Sequence, residues 1–138
     1  MVDREADREE IARRLMAHGV LPTAQRIDVG LVILAKPQHL SADQIIAAIR
    51  SMSARVSKAT VYNTLNLFCE RGLLRTVEVD PTRQYYDSTI DAHHHFYNVD
   101  TGEITDIPLD AISLNVGAAL PPGTEQAGVD VVIRVRGR

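Results

Sequence analysis

Three adjacent histidines, His93, His94 and His95, account for three of the five histidines in the chain. Acidic side chains stand on both sides of them, including Asp87 and Asp106. Because residues i and i+2 of a β-strand share a face, His93 and His95 are predicted to bind one metal ion while His94 points away. Imidazole and carboxylate ligands without a thiolate suit Fe(II), Mn(II) or Zn(II). A solvated polar run that binds no metal is the alternative interpretation.

The elements around the histidines are predicted to position these ligands. Residues 95–99 and 103–107 flank Asp100-Thr101-Gly102, a strong turn sequence, and are expected to pair as a hairpin with Asp106 on the second strand. Asp87, at the end of an earlier predicted hairpin, is expected to fold back as an oxygen ligand. Beyond residue 107 the pattern predicts a helix over 109–120 and a strand over 129–135, which is expected to be able to pair with a second copy.

The net charge of −3 hides a strong asymmetry along the chain. Residues 11–84 contain ten Lys and Arg against five Asp and Glu, whereas residues 85–130 contain eight acidic residues and no Lys or Arg. A basic segment can follow a phosphate backbone, and an acidic, histidine-rich segment suits a cation. Two differently solvated surfaces would show the same asymmetry.

The composition also excludes several classes of protein. With 138 residues and 45% hydrophobic residues, the chain is predicted to be soluble and to form one or two small domains. The charged start has no apolar signal segment, and no apolar run is long enough to cross a membrane, so a cytoplasmic protein is expected. Cys69 is the only cysteine, which excludes an internal disulfide and a four-cysteine structural zinc site.

The first part of the chain predicts four helices and a β-hairpin. An amphipathic pattern covers residues 5–18, and Thr23, Ser41 and Ser57 are expected to cap three further helices, with Gln44 completing a capping box. Residues 74–79 and 83–87 then flank a turn. The predicted fold class is therefore α+β: an N-terminal winged helix-turn-helix in residues 1–84, a hinge in 85–92, and a small α/β dimerisation domain in 93–138.

The last of the four helices has the exposed face that a groove-reading helix needs. Polar side chains gather at its N-terminal end, where they and the helix dipole can meet phosphates and base edges. Asparagine can bond an adenine edge bidentately. A capped amphipathic surface helix is the alternative. The residues predicted to contact DNA are Arg14, Arg26, Ser57, Lys58, Thr60, Tyr62 and Asn63.

Four motifs, in this order and spacing, resemble the ferric uptake regulator (Fur) family. They are Thr23-Ala-Gln-Arg26, His39-Leu-Ser-Ala42, Ala59-Thr-Val-Tyr-Asn-Thr-Leu65 and the histidine triplet. The resemblance covers roughly residues 13–108. It implies a dimeric, metal-dependent repressor that binds a palindromic operator in double-stranded DNA, in a bacterial cytoplasm. It also implies that His39 completes a regulatory site of five ligands: His39, Asp87, His93, His95 and Asp106.

Two departures from the family pattern indicate a particular branch. Asn63 follows the recognition tyrosine where most of the family has arginine, and Asn98 and Thr101 stand where the family has its first zinc-binding cysteine pair. Together with the unbroken triplet these residues are most similar to the iron response regulator (Irr) branch. That resemblance implies a response to iron or haem, with His93, His94 and His95 as the candidate haem site and Fe(II) or Mn(II), or Zn(II) in purified protein, at the regulatory site.

Three alternatives to an iron- or haem-responsive regulator remain. A peroxide sensor of the same family has the same five-ligand arrangement. A non-haem metalloenzyme would use two histidines and one carboxylate as a facial triad, but five protein ligands leave little room for a substrate. A metal-storage or carrier domain would not need the predicted recognition helix to face outward.

Overall fold

The computed structural model describes residues 4–80, 82–89 and 93–138, which belong to two compact units, Met1–Ile90 and Asp91–Arg138. The turn residue Pro81, the charged residues 1–3 and residues 90–92 of the predicted hinge lie outside the described residues. Tyr85–Asp87, predicted to begin the hinge, belong to the last strand of the first unit.

The described residues of the first unit form four helices, and each predicted helix is present. Their bounds are α1 (Arg4–Ala17), α2 (Ala24–Ile33), α3 (Ala42–Ser51) and α4 (Lys58–Glu70). Thr23, Ser41 and Ser57 each accept a hydrogen bond from a backbone N–H of the first turn, and Ser41 with Gln44 forms a reciprocal capping box. These local bonds fix where three of the helices begin.

A three-stranded antiparallel sheet completes the first unit. Its strands are β1 (His39–Ser41), β2 (Arg75–Asp80) and β3 (Arg83–Asp87), in the order β1-β3-β2. The β2–β3 hairpin is the predicted wing, and its register shifts between Glu78 and Asp80. Strand β1 is too short for the sequence pattern to predict, and it exists because β3 pairs with it.

The core of the first unit lies where the four helices meet. Val61, Leu65 and Phe68 of α4 are at most 1% exposed, and they pack in one buried cluster with residues of the other three helices. The spacing of these three residues is that of one helix face, so the opposite face of α4 is left for solvent or a partner. Helices α1 and α2 approach closely at Gly30, which faces Ile11.

The second unit is built on a three-stranded sheet with the order β5-β4-β6. Its strands are β4 (His94–Asn98), β5 (Ile104–Ile107) and β6 (Val132–Val135). The predicted hairpin across residues 100–102 is present, with Gly102 at φ +78°. Strand β6 is shorter than predicted and pairs parallel to β4.

The helix predicted over residues 109–120 is wrong. Only Leu109–Ala111 form a 3₁₀ turn, and the chain from 112 to 131 has no regular helix or strand. Most helical stability comes from packing an apolar face, and Leu114, Val116 and Leu120 are all more than half exposed. Gly117 and the β-branched residues of this segment also have low helix propensity. In the described part of the chain, no helix is long and apolar enough to span a membrane.

Candidate metal centre and nucleic-acid interface

Two predicted ligands of the first unit, His39 and Asp87, lie directly opposite each other on β1 and β3. Nε2 of His39 is 3.1 Å from Oδ2 of Asp87, and the Asp87 side chain is only 1% exposed. The other carboxylate oxygen, Oδ1, accepts a hydrogen bond of 2.8 Å from the N–H of Thr89. The carboxylate is thus oriented by the backbone, with one oxygen directed at the imidazole. We call these two residues the first-unit pair.

Ser88 fixes the chain on either side of the first-unit pair. Its hydroxyl accepts a hydrogen bond from the N–H of Gln38 and donates one to the carbonyl of Lys36, and its own N–H donates to the carbonyl of Gln38. These bonds hold the residues next to His39 and Asp87 together. Ser88 could not be predicted from the sequence, because a serine beside an aspartate gives no signal of a partner fifty residues away.

Three predicted ligands converge in the second unit, and we call them the second-unit triad: His93, His95 and Asp106. His95 and Asp106 are directly opposite on β4 and β5, as the predicted hairpin register requires. Oδ1 of Asp106 lies 3.0 Å from Nε2 of His93 and 3.6 Å from Nε2 of His95. The two rings are 4.5 Å apart between centroids and inclined at 63°.

The geometry of the second-unit triad suits a small divalent cation. Ligands that each lie about 2.0–2.2 Å from one ion are separated from one another by roughly 3 Å, close to the observed spacing. The two rings are buried, with His93 at 7% and His95 at 4% exposure, whereas the Asp106 side chain is 43% exposed. The alternative of a solvated polar run is therefore wrong, and nitrogen and oxygen ligands without sulfur favour Fe(II), Mn(II) or Zn(II).

The middle histidine of the triplet has a different partner. His94 is 5% exposed, and its Nδ1 accepts a hydrogen bond of 3.0 Å from the N–H of Val131. Two residues of the triplet thus lie close to Asp106, and the third is bonded to the residue that precedes the C-terminal strand. A haem bound through the triplet does not fit these residues, because all three rings are buried and one nitrogen of His94 is already an acceptor.

The predicted recognition helix presents an exposed polar N-terminal end. Ser57, Lys58, Tyr62 and Asn63 are all exposed. The hydroxyl of Ser57 accepts from the N–H of Thr60 at 3.1 Å and donates to the Thr60 hydroxyl at 2.8 Å. The cap is therefore pre-formed, and the side chains that follow it project from a rigid first turn.

Grooves lie on both sides of this end of α4. One, of about 280 Å³, is lined by residues of α2 and α4 that include Arg26, Thr60 and Asn63. The other, of about 440 Å³, is lined by Tyr62 together with Thr82 and Gln84 of the wing and the start of α3. The structure thus brings three predicted DNA contacts together in one groove and places Tyr62 beside the wing.

Arg14 and Cys69 contact the interior of the first unit and not the two grooves beside α4. The Arg14 guanidinium donates to the carbonyl of Leu34 at the end of α2, a packing role that the local sequence does not predict. Cys69 is half-buried and packs against the core of the first unit. Burial, and secondly the nearby Glu70 carboxylate, raise the pKa of the Cys69 thiol, which fits a structural thiol better than a reactive one.

Residues 17–119 match the model of the ferric uptake regulator family. The chain is 28% identical over 98 residues to a peroxide-responsive repressor of Staphylococcus epidermidis, covering 71% of this chain and 65% of that protein. It is 29% identical over 100 residues to a ferric uptake regulation protein of Synechococcus elongatus, covering 70% and 67%. The chain thus spans about two thirds of the length of these relatives.

Solved structures show the same fold. The ferric uptake regulator of Vibrio cholerae superposes with a TM-score of 0.69 at 18% identity, covering 91% of this chain and 98% of that one. The regulator of Pseudomonas aeruginosa with manganese gives a TM-score of 0.66 at 23% identity, covering 91% and 96%. The predicted α+β fold, with a winged helix-turn-helix followed by a small domain, is confirmed.

Proposed function

The chain belongs to the ferric uptake regulator family, whose members are transcription regulators and not enzymes, and from this premise we propose that it is a metal-dependent, dimeric DNA-binding repressor of iron homeostasis. The observation that carries the proposal is the convergence of the His93 and His95 Nε2 atoms on one Asp106 oxygen in a buried part of the second unit. Such an arrangement brings metal-binding side chains together and includes no catalytic nucleophile among them.

We propose that the first-unit pair and the second-unit triad bind the same divalent ion. His39, Asp87, His93, His95 and Asp106 then form its five-ligand set, with Fe(II) or Mn(II) as the physiological ion and Zn(II) as an ion acquired on purification. Support comes from the ligand chemistry of each group and from the resemblance of the motifs that contain them. The bound ion supplies the positive charge that holds these carboxylates and imidazoles together.

The first-unit pair lies on strands that are continuous with, or adjacent to, the proposed DNA-contacting elements. His39 begins β1, which leads directly into α3, and α3 packs against α4. Asp87 ends β3, the inner strand of the wing. Ligands at these two points orient α3 and the wing together. An ion that binds one arrangement of the two units better than others shifts the population towards that arrangement.

DNA recognition is proposed to use the exposed end of α4. In this proposal Asn63 contacts a base edge, Lys58 and Arg26 contact phosphates, and Ser57, Thr60 and Tyr62 contribute beside them. Arg14 is predicted as a further DNA contact, and its guanidinium donates a hydrogen bond to the carbonyl of Leu34. The proposed operator is an inverted repeat, because a two-fold symmetric dimer presents two identical helices.

The proposed homodimer uses the apolar surface of the second unit. Phe96 on β4 and Ile133 and Val135 on β6 are each 38–39% exposed, and the irregular segment after β5 adds further apolar side chains. An exposed apolar surface of this kind is typical of a protein–protein interface, and here a partner is needed to bury it. A second copy of the chain is that partner, in line with the dimers that family members form.

Peroxide sensing is the second candidate function. The Staphylococcus relative is named a peroxide-responsive repressor, and the proposed ligand set has nitrogen and oxygen atoms only. Peroxide treatment of the iron-loaded protein would then oxidise a ligand histidine such as His39 or His93, and the manganese form would be unaffected. A mass spectrum without added oxygen after peroxide treatment of the iron form contradicts this candidate and leaves iron availability as the signal.

The proposal is tested by selecting DNA from a library of random duplex sequences with the Mn(II)-loaded protein. Enrichment of an inverted repeat that is lost when a chelator removes the metal is the expected outcome. A parallel selection with Asn63→Ala protein serves as the matched control. Enrichment of single half-sites, or enrichment that persists in chelator, contradicts metal-dependent binding by a dimer.

A further inference from the structure

Apolar burial does little to fix the register of the C-terminal strand β6 on β4. It is only four residues long, and three of its four residues are exposed. Register is specified strongly where one face of a strand is buried and weakly where it is not. The irregular chain before it, residues 112–131, leaves its position along β4 unspecified. Contacts other than apolar burial must therefore align β6.

Two side chains of the second unit supply such contacts at the two ends of β6. At the start, the N–H of Val131 donates to Nδ1 of His94 at 3.0 Å. At the end, the N–H of Gly137 donates to Oδ2 of Asp100 at 2.9 Å. Between these bonds the regular ladder includes the donation from the N–H of His95 to the carbonyl of Val131. The peptide groups of Val131 are thus bonded by two consecutive residues of β4.

The His94 ring takes the place of the next rung of the parallel ladder. In a regular continuation, the N–H of Val131 would donate to the backbone carbonyl of His93. It donates instead to the ring nitrogen of His94, whose side chain lies on the same strand face as Phe96. Phe96 is 39% exposed and His94 only 5%, so the ring is buried where it meets β6. This contact distinguishes His94 from both neighbours in the triplet.

We propose that His94 is a positioning residue that fixes the register of β6, and that docking of β6 and ligation of His94 exclude each other. A neutral imidazole has one N–H and one acceptor nitrogen. If Nδ1 accepts from Val131, the proton resides on Nε2, and Nε2 then has no lone pair for a metal or a haem iron. Ligation through Nε2 moves the proton to Nδ1, where it opposes the Val131 N–H and releases the start of β6.

This inference does not rest on the proposed function, because the contact lies within the second unit and needs no ion. It assigns the histidine triplet two tasks: the outer residues face Asp106, and the middle residue holds the C-terminal strand. It also predicts that a ligand that binds His94 increases the exposure of the apolar side chains of Ile133 and Val135 in β6.

Two substitutions at His94 separate the effect of the acceptor atom from the effect of the ring's bulk. His94→Asn retains an acceptor oxygen near the position of Nδ1 and lacks Nε2, whereas His94→Leu removes the acceptor and retains apolar bulk. Amide hydrogen exchange over residues 131–135 is expected to rise by roughly five- to tenfold in His94→Leu, the factor that corresponds to loss of one hydrogen bond. In His94→Asn it is expected to stay near the wild-type rate, with residues 104–107 of β5 as the internal reference.

Val131→Pro provides a second route if His94→Leu does not fold, because it removes the donor and leaves His94 in place. Raised exchange over residues 132–135 with unchanged Zn(II) stoichiometry supports the inference. In addition, long-range ¹H–¹⁵N correlations of the Zn(II)-loaded protein are expected to show His94 protonated at Nε2 and unprotonated at Nδ1. A protonated Nδ1, a zinc-bound Nε2, or equal exchange in His94→Asn and His94→Leu overturns the inference.

Discussion

Asp87 and His39 occupy directly opposed positions on β3 and β1, and an Asp87 oxygen lies 3.1 Å from the His39 ring nitrogen. The two residues are far apart in sequence, yet the short strand β1 brings them together at the end of the wing strand. This carboxylate and imidazole are the two metal ligands that we propose for the first unit, which also carries the proposed DNA-contacting helix.

Replacing Asp87 by asparagine is predicted to weaken metal binding without unfolding the first unit. Asparagine retains an Oδ1 atom that can accept from the N–H of Thr89, but it lacks the negative charge that favours a divalent ion. Mn(II) affinity measured by calorimetry should fall by at least roughly tenfold, with little change in the thermal midpoint of unfolding. Asp87→Ala, which also loses the Thr89 bond, should in addition lower that midpoint. Unchanged Mn(II) affinity in both variants would falsify the assignment of Asp87 as a ligand.

Asn63→Ala is predicted to lower operator affinity by roughly five- to hundredfold, since a bidentate base contact is worth about 1–3 kcal/mol. Asn66→Ala is the matched control, because Asn66 is exposed on the same helix but lies outside the groove that contains Asn63. Fluorescence anisotropy with the selected DNA measures both. Mn(II) content should stay at the wild-type level, and a parallel loss of metal would contradict the separation of DNA binding from metal binding.

Gly30→Ala is predicted to destabilise the first unit by up to about 2 kcal/mol. An alanine Cβ at this position would lie 2.5 Å from Cγ2 of Ile11, which is buried in the core. The helix-propensity gain of alanine over glycine is about 1 kcal/mol, and overpacking costs about 1–3 kcal/mol, so the clash is expected to win. Urea denaturation measures the difference.

At Gly128, an added Cβ meets nothing within 4 Å, and Gly128→Ala should change stability by less than about 0.5 kcal/mol. Equal effects of the two substitutions would show that α1 and α2 do not approach closely.

Alkaline pH is predicted to destabilise the first unit through Cys69 and Tyr86. Burial raises the pKa of the Cys69 thiol, and burial followed by the nearby Cys69 and Tyr62 raises the pKa of the Tyr86 hydroxyl. A raised pKa in the folded state gives stability that is fully present below the pKa of the unfolded chain and is lost as pH rises through the folded pKa. Urea midpoints should therefore fall once the pH exceeds the unfolded-state pKa values, about 8.5 for cysteine and about 10 for tyrosine. The fall should be less steep in a Cys69→Ala/Tyr86→Phe double variant. Alkylation of Cys69 should also be slower in the native protein than in the unfolded protein at the same pH, and identical rates would contradict the burial of the thiol.

Much of the first unit could be predicted because its signals are local. Thr23, Ser41 and Ser57 begin helices through bonds to residues three positions later, and these bonds depend on the neighbouring sequence alone. The same is true of the turn at Gly102, which sets the β4–β5 register and so places His95 opposite Asp106. The second-unit triad could therefore be predicted from strand periodicity and one turn.

The parts that could not be predicted depend on distant partners. Ser88, the strand β1 and the bond from Val131 to His94 each join residues far apart in sequence. In residues 109–120 a local pattern gave a wrong prediction. Their apolar spacing indicates a helix, but no packed face stabilises one. His39 entered the predicted ligand set only through the family resemblance, because a lone histidine before a helix has no spacing that indicates metal binding.

The most direct test of the account is a calorimetric titration of metal-free protein with Mn(II), comparing wild type with His39→Ala and His93→Ala. His18→Ala is the control, because the His18 ring lies against the Arg14 carbonyl, outside the proposed ligand set. If one ion uses ligands from both units, wild type and control should each bind one Mn(II) per protomer, and both ligand variants should lose that same binding event. Two ions per protomer in the wild type, with each ligand variant losing only one of them, would contradict a shared site.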